Sequence, residues 1–245
     1  MEVHHHAHTP RKKWTHYFWE FLMLFLAVFC GFLAEYQLEH KIESDRGKQY
    51  VAFMYEDLTM DTIALNSIIQ HRNRRNEMFD SIFLLMDNPG DRVADLYFYA
   101  RHLTRTAPIL FFNNDRTIQQ LKYSGGLRLI TNKTVSDSIM IYDKQVRLVF
   151  ERQESEIANV RVCLPYYYKI FDGRVFSGMM DENNVINRLL FNPALLKFSK
   201  EDVNTFLGYC QTLKANNIGN NSHTKILKEK AVELIEIIKT EYHLK

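Results

Sequence analysis

Three groups of residues in this chain have types and spacings that could do chemistry. His4, His5, His6 and His8 stand together near the N-terminus. Imidazole nitrogens are common ligands for zinc and other divalent cations. A flexible tail holds such a metal weakly when no carboxylate or carbonyl orients the rings from behind, so a plain polar segment is the competing reading. Glu20 is the one ionisable residue inside a long apolar stretch. An ionisable group at membrane depth is costly to desolvate and is a functional candidate for that reason. Close to the interface it simply snorkels to water, and only Cys30, Thr15 and His16 offer it polar company. Arg72, Arg74 and Arg75, with His71, form a basic cluster. It could grip an anionic lipid or a phosphate-bearing polymer through charge-assisted hydrogen bonds, or form a face paired with carboxylates of a neighbouring helix.

Beyond these groups the chemical signals are few. The chain has no G-x-S-x-G, no phosphate-binding glycine loop, no H-E-x-x-H and no C-x-x-C, the short motifs that carry a known mechanism. Catalytic groups can assemble from distant positions, but the expectation is a non-enzymatic protein that needs no cofactor. Cys163 and Cys210 could pair in an oxidising compartment or stay as two separately buried thiols.

The element that positions everything else is Trp14 to Tyr36. Its charge-free run, Phe21 to Ala34, is short for a membrane span, which takes about 20 apolar residues. The aromatics Trp14, Tyr17, Phe18 and Trp19 extend it to spanning length and suit a headgroup belt, with Tyr36 at the other interface. A cleaved signal peptide is disfavoured because no small-x-small site follows, and Phe29 before Cys30 argues against a lipoprotein signal. A buried core helix is the remaining alternative to an uncleaved anchor. Arg11, Lys12 and Lys13 precede the span, so the positive-inside rule puts the N-terminus in the cytoplasm. The predicted organisation is a His-rich basic cytoplasmic tail over 1–13, a transmembrane helix over 14–36, and a helical domain over 37–245. In a Gram-negative cell that domain is periplasmic and the anchor sits in the inner membrane.

The soluble part reads as all-α. The net charge is +2, from 31 basic and 29 acidic residues, which gives no electrostatic case for nucleic acid. From Gln37 to Met86 there is no proline and one glycine, Gly47. Val51, Leu58, Leu65, Phe79 and Met86 fall on a seven-residue repeat with Arg72 as the exception, and Met54, Ile68 and Ile82 fill a second seam. Sustained heptads predict either a coiled-coil stalk that self-associates or packing against later helices of the same chain. Asp87-Asn-Pro-Gly90 ends the helix.

Further helices are expected over Asp91–Thr104 and, capped by Asn113 or Asn114, over Asp115–Tyr123. A second long helix, with Asn132 as cap, should run from Lys133 to Leu164. Val135, Ile139, Tyr142, Val146, Phe150, Ile157 and Val160 would face inward and Pro165 would stop or kink it. Tyr166, Tyr167 and Tyr168 form either an aromatic box or the cap of a core. Asn184–Phe191 reads as helical. Ser199 and Asp202 make a capping box before a helix to Lys214. Asn216–Asn221 reads as a polar loop. Lys225–Tyr242 is amphipathic, with Ile226, Val232, Leu234, Ile235 and Ile238 inward. The sum is an up-down bundle of about four or five principal helices.

The opening YFWEFLMLFLAVFCGFLAE after a His-rich basic start, and the block TIQQLKYSGGLRLITNKTVSDSIMIYD from Thr117 to Asp143, resemble a family of uncharacterised Gram-negative bacterial proteins. These have one N-terminal membrane helix and a helical soluble region. The resemblance implies a fold and an address, and no activity. The functional expectation is therefore a membrane-anchored structural or interaction module whose partners are the lipid bilayer and a second protein or another copy of itself. The alternative is a sensor in which Gln37–Met86 relays a change in the domain to a metal-binding His tail.

Overall fold

The computed structural model describes residues 14–106 and 109–243. The tail histidines His4, His5, His6 and His8 lie outside them. Every regular element described is a helix: α1 (Trp14–Asp87), α2 (Val93–Leu103), α3 (Arg116–Tyr123), α4 (Lys133–Ile170), α5 (Gly173–Ser177) and α6 (Lys200–Tyr242). Three of these are long, and they carry the body of the protein.

α1 is one unbroken helix of 74 residues. Its apolar N-terminal part is long and apolar enough to cross a membrane, and none of that stretch is buried. Burial begins at Gly47. A Cβ there would lie 2.2 Å from the Leu129 carbonyl oxygen, so only glycine lets the helix meet the turn at Gly126–Leu129 this closely. From that point the expected heptads go inward: Val51, Leu58, Leu65 and Phe79 are fully buried. Their partners are helices of the same chain, chiefly α6.

Cross-chain bonds fix the helix directions. α1 pairs Asn66 with Lys228, Arg72 with Asn217, and Asp80 with Lys214, so α6 runs opposite to α1. Asp61 meets Tyr142 and Arg72 meets Glu156, so α4 runs alongside α1. Between them a broken limb descends: Arg75 reaches Leu103 at the end of α2, Arg72 reaches Ile109, and Asp57 reaches Thr117 in α3.

Several sequence expectations change. α4 does not stop at Leu164 but continues through Pro165 to Ile170. Proline costs one backbone hydrogen bond, but Val160, Cys163, Tyr167 and Ile170 stay on the buried face on either side of it. The inward face also lies one position from that expected in mid-helix: Val149, Gln153 and Glu156 are buried in place of Phe150 and Ile157. Asn216–Asn221 is not a loop. It lies inside α6, which is continuous for 43 residues. The buried spacing Leu213, Asn217, Asn220, Thr224, Leu227 keeps helical phase through the polar stretch. In the last turns Leu227 and Ala231 face inward, and Ile226 and Val232 are exposed.

Asn184–Phe191 is not helical. The Asp181 side chain accepts the backbone N–H groups of Asn183 and Val185 at 3.0 and 2.8 Å, a local competitor to helix hydrogen bonds. The Ser199–Asp202 capping box and the Asn132 cap form as expected. Tyr167 is buried against Phe171, Phe176 and Phe206, so it caps a core. Cys163 and Cys210 are both free, buried thiols in that same core.

Candidate functional site

The interior is divided into two apolar clusters. A proximal one, on the side of the apolar stretch of α1, is built on Val51–Ile68, Tyr142 and Leu227–Ile238. A distal one is built on Phe79–Leu103, Tyr167–Phe176 and Phe206–Leu213. Between them lies a layer of buried polar side chains contributed by all three long helices.

At its centre Glu156 of α4 accepts from two guanidinium groups, Arg72 Nη1 at 3.0 Å and Arg75 Nη1 at 2.6 Å. All three side chains are nearly inaccessible to water, at 1, 4 and 1 % for Arg72, Arg75 and Glu156. Burying charge is costly unless every partner is supplied, and here most are. Arg72 also donates to Asn217 Oδ1 and the Ile109 carbonyl, at 3.0 and 3.1 Å. Arg75 donates to the Leu103 carbonyl at 2.8 Å. Asn220 donates to Glu156 at 2.7 Å, and Asn217 donates to the Arg72 carbonyl at 2.8 Å. Gln153 brackets Phe111, accepting its N–H at 2.6 Å and donating to its carbonyl at 3.1 Å. Two cations share one anion, so the layer keeps an excess positive charge. Burial lowers the Arg75 pKa, and Arg72 nearby adds to that, against the pull of Glu156; an arginine still stays protonated at neutral pH.

The expected basic patch is therefore split. Arg72 and Arg75 are buried in the ion-paired layer, and Arg74 is exposed on the outer side beside the half-buried His71, whose Nδ1 lies 3.3 Å from its guanidinium. Outward of Arg75 is a cavity of about 250 Å³. His71, Arg74, Arg75, His102 and Arg105 supply its polar wall, and Met78, Phe98 and Ile109 its apolar wall. Among the described residues that line it none is acidic. Burial lowers the pKa of both histidines; the charges of Arg74 and Arg105 add to this at His71, and those of Arg105 and Arg101 at His102. Arg75 Nε and His102 Nε2 are buried without a hydrogen-bond partner.

A second polar group sits beside α3. Asp57 accepts from the Thr117 N–H and hydroxyl, and Asp61 accepts from Tyr142 at 2.5 Å and from Asn114 at 2.8 Å. Burial raises the Asp61 pKa, against the opposing effect of its hydrogen bonds, and burial with the Asp61 charge raises that of Tyr142. Among the described residues no cluster of three or more His, Cys, Asp or Glu could hold a metal. Glu20 faces outward on α1 and pairs with His16 at 3.0 Å, each about half exposed.

Sequence reasoning did not single out Glu156, Asn217, Asn220, His102 or Arg105. A signal for part of this existed: Asp61 and Arg75 occupy the same seven-residue seam as Met54, Ile68 and Ile82, as Arg72 does in the other seam. Comparisons of the chain with protein-family models, with curated proteins and with solved structures find no match.

Proposed function

We propose that this protein is a single-pass, membrane-anchored structural or interaction module. Trp14–Tyr36 spans the inner membrane, the N-terminus faces the cytoplasm, and an up-down helical bundle stands in the periplasm. One observation carries the anchor: the apolar part of α1 packs against no other described element, and Trp14, Phe21, Leu24 and Phe32 are each more than 60 % exposed. An apolar patch of that length marks a surface that lipid or another protein covers, and helical backbone is the form that satisfies its own polar groups in lipid. Arg11, Lys12 and Lys13 support the orientation. The two apolar clusters and the buried ion layer support a rigid body built to present surfaces. The test is carbonate extraction and flotation of the full-length chain, with protease access to intact and permeabilised cells. Recovery of the unprocessed chain in the buffer-soluble fraction would sink the proposal. Crosslinking in native membranes should then trap a defined protein partner or a homo-oligomer.

The unbroken course of α1 from anchor to body favours one second reading, a transducer that relays a change in the bundle to the His-rich tail. A variant with His4, His5 and His6 replaced by alanine tests its metal-linked form. An unaltered zinc response would remove it.

A further inference from the structure

The cavity beside Arg75 combines three features that suit an anionic occupant. Its polar wall gathers guanidinium groups and imidazoles with no acid among them. The ion-paired layer behind it already carries two cations on one carboxylate. The Arg75 Nε–H and the Nε2 ring nitrogen of His102 are buried without partners, and a buried unpaired polar group costs about 1–3 kcal/mol. Arg74 and Arg105 have no carboxylate partner among the described residues. The opposite wall is apolar, with Phe98 held edge-on to His102 at 4.6 Å between ring centroids.

We propose that this cavity binds a small soluble phosphate monoester, its dianionic head among Arg74, Arg75 and Arg105 and its short apolar body on Phe98, Met78 and Ile109. Guanidinium forks match a phosphate's oxygens in geometry and charge. At about 250 Å³ the cavity lies just below the usual range for ligand sites, roughly 300–1,000 Å³, so the body is small. A lipid headgroup of the anchoring membrane is the other source of such chemistry, but distance argues against it. Arg74 lies roughly 57 Å along α1 from Tyr36 at 1.5 Å per residue. The site is independent of whether α1 spans a bilayer.

The test uses the full chain in detergent micelles with phenyl phosphate, inorganic phosphate and phenol as probes, followed by calorimetric titration and melting temperature. Phenyl phosphate should bind and raise the melting temperature, inorganic phosphate should bind more weakly, and phenol should not bind. Arg74→Ala and Arg105→Ala should each weaken phenyl phosphate binding by about tenfold, with an unchanged circular dichroism spectrum. Lys228→Ala, far along α6, should leave it unaltered. Absence of binding at millimolar phenyl phosphate, an affinity in both arginine variants unchanged from that of the parent chain, or phenol binding as well as its phosphate would overturn the proposal. So would binding that appears only with phosphatidylglycerol vesicles, which would assign the charge to a bilayer surface.

Discussion

Asp57 on α1 caps α3 from 60 residues away. Its Oδ2 accepts the Thr117 N–H at 3.1 Å and the Thr117 hydroxyl at 2.5 Å, whereas Asp115, the residue before the helix, makes no capping bond. A helix start leaves N–H groups without partners, and here another helix supplies one. Asp57→Ala should cost about 1–2 kcal/mol, the upper part of the range for a lost cap. A urea titration reads the shift in midpoint, and amide exchange should localise the loosening to Thr117 and its neighbours. An unchanged exchange rate there would contradict the capping role.

Charge imbalance in the polar layer makes its members unequal. Glu156→Ala leaves two buried guanidinium groups facing one another, so it should destabilise by about 3–5 kcal/mol. Arg72→Met leaves the Arg75–Glu156 pair intact and should cost clearly less. Denaturant midpoints of the two variants decide it; equal losses would mean that the layer is not governed by charge.

Gly47 marks where the free stalk of α1 joins the body. Gly47→Ala puts a methyl group against the Leu129 carbonyl, within 2.2 Å, and strain of this kind costs about 1–3 kcal/mol. Helix propensity alone predicts the opposite sign, because alanine is favoured over glycine in a helix by about 1 kcal/mol. A stabilised variant in thermal melts would therefore refute the close approach.

Acid should unpick the start of α6. Asp202 accepts from Lys169 at 3.0 Å and from the Ser199 hydroxyl and N–H, and these bonds hold its pKa down to about 2 from the usual 3.8. A lowered carboxylate pKa contributes stability above the unfolded value, and that contribution fades as pH falls through the folded one. The loss should fall between about pH 4 and pH 2. Asp202→Asn should flatten the stability profile in that window and leave its slope at neutral pH unaltered.

Both body thiols should be inert in the folded protein. Burial pushes Cys163 up to about 11, and it raises Cys210 further, with Cys163 adding to it; the thiolate is the reactive form. Maleimide should modify them only after denaturation. Cys30, exposed on α1, should label in detergent and be shielded in a bilayer.

The helices were legible because their seams were regular. Val51, Leu58, Leu65 and Phe79 fall on a seven-residue repeat interrupted only by Arg72, and only burial against one's own chain or another could use them. What resisted reading was polar residues inside such seams. Asn217, Asn220 and Asn221 resemble loop composition, yet their side chains bond Arg72, Asn76, Glu156 and Asn73 across the interior, and tertiary pairing outweighs their weak helix propensity. Pro165 does not end the helix, because buried neighbours on both sides hold it through the proline. The cationic cavity draws on α1, α2 and the connection after it, and no local pattern in one segment shows that His71 and His102 line one cavity.

The absence of any break in α1 has a mechanical consequence. With Trp14–Tyr36 in a bilayer as proposed, the helix acts as a lever pivoting at the membrane surface, with an arm from Tyr36 to Asp87 of roughly 75 Å. A lean of about 20°, ordinary for a spanning helix, sweeps the far tip sideways by roughly 25 Å. The interfacial aromatics Trp14, Tyr17, Trp19 and Tyr36, which would set that lean, would then decide what the tip can touch.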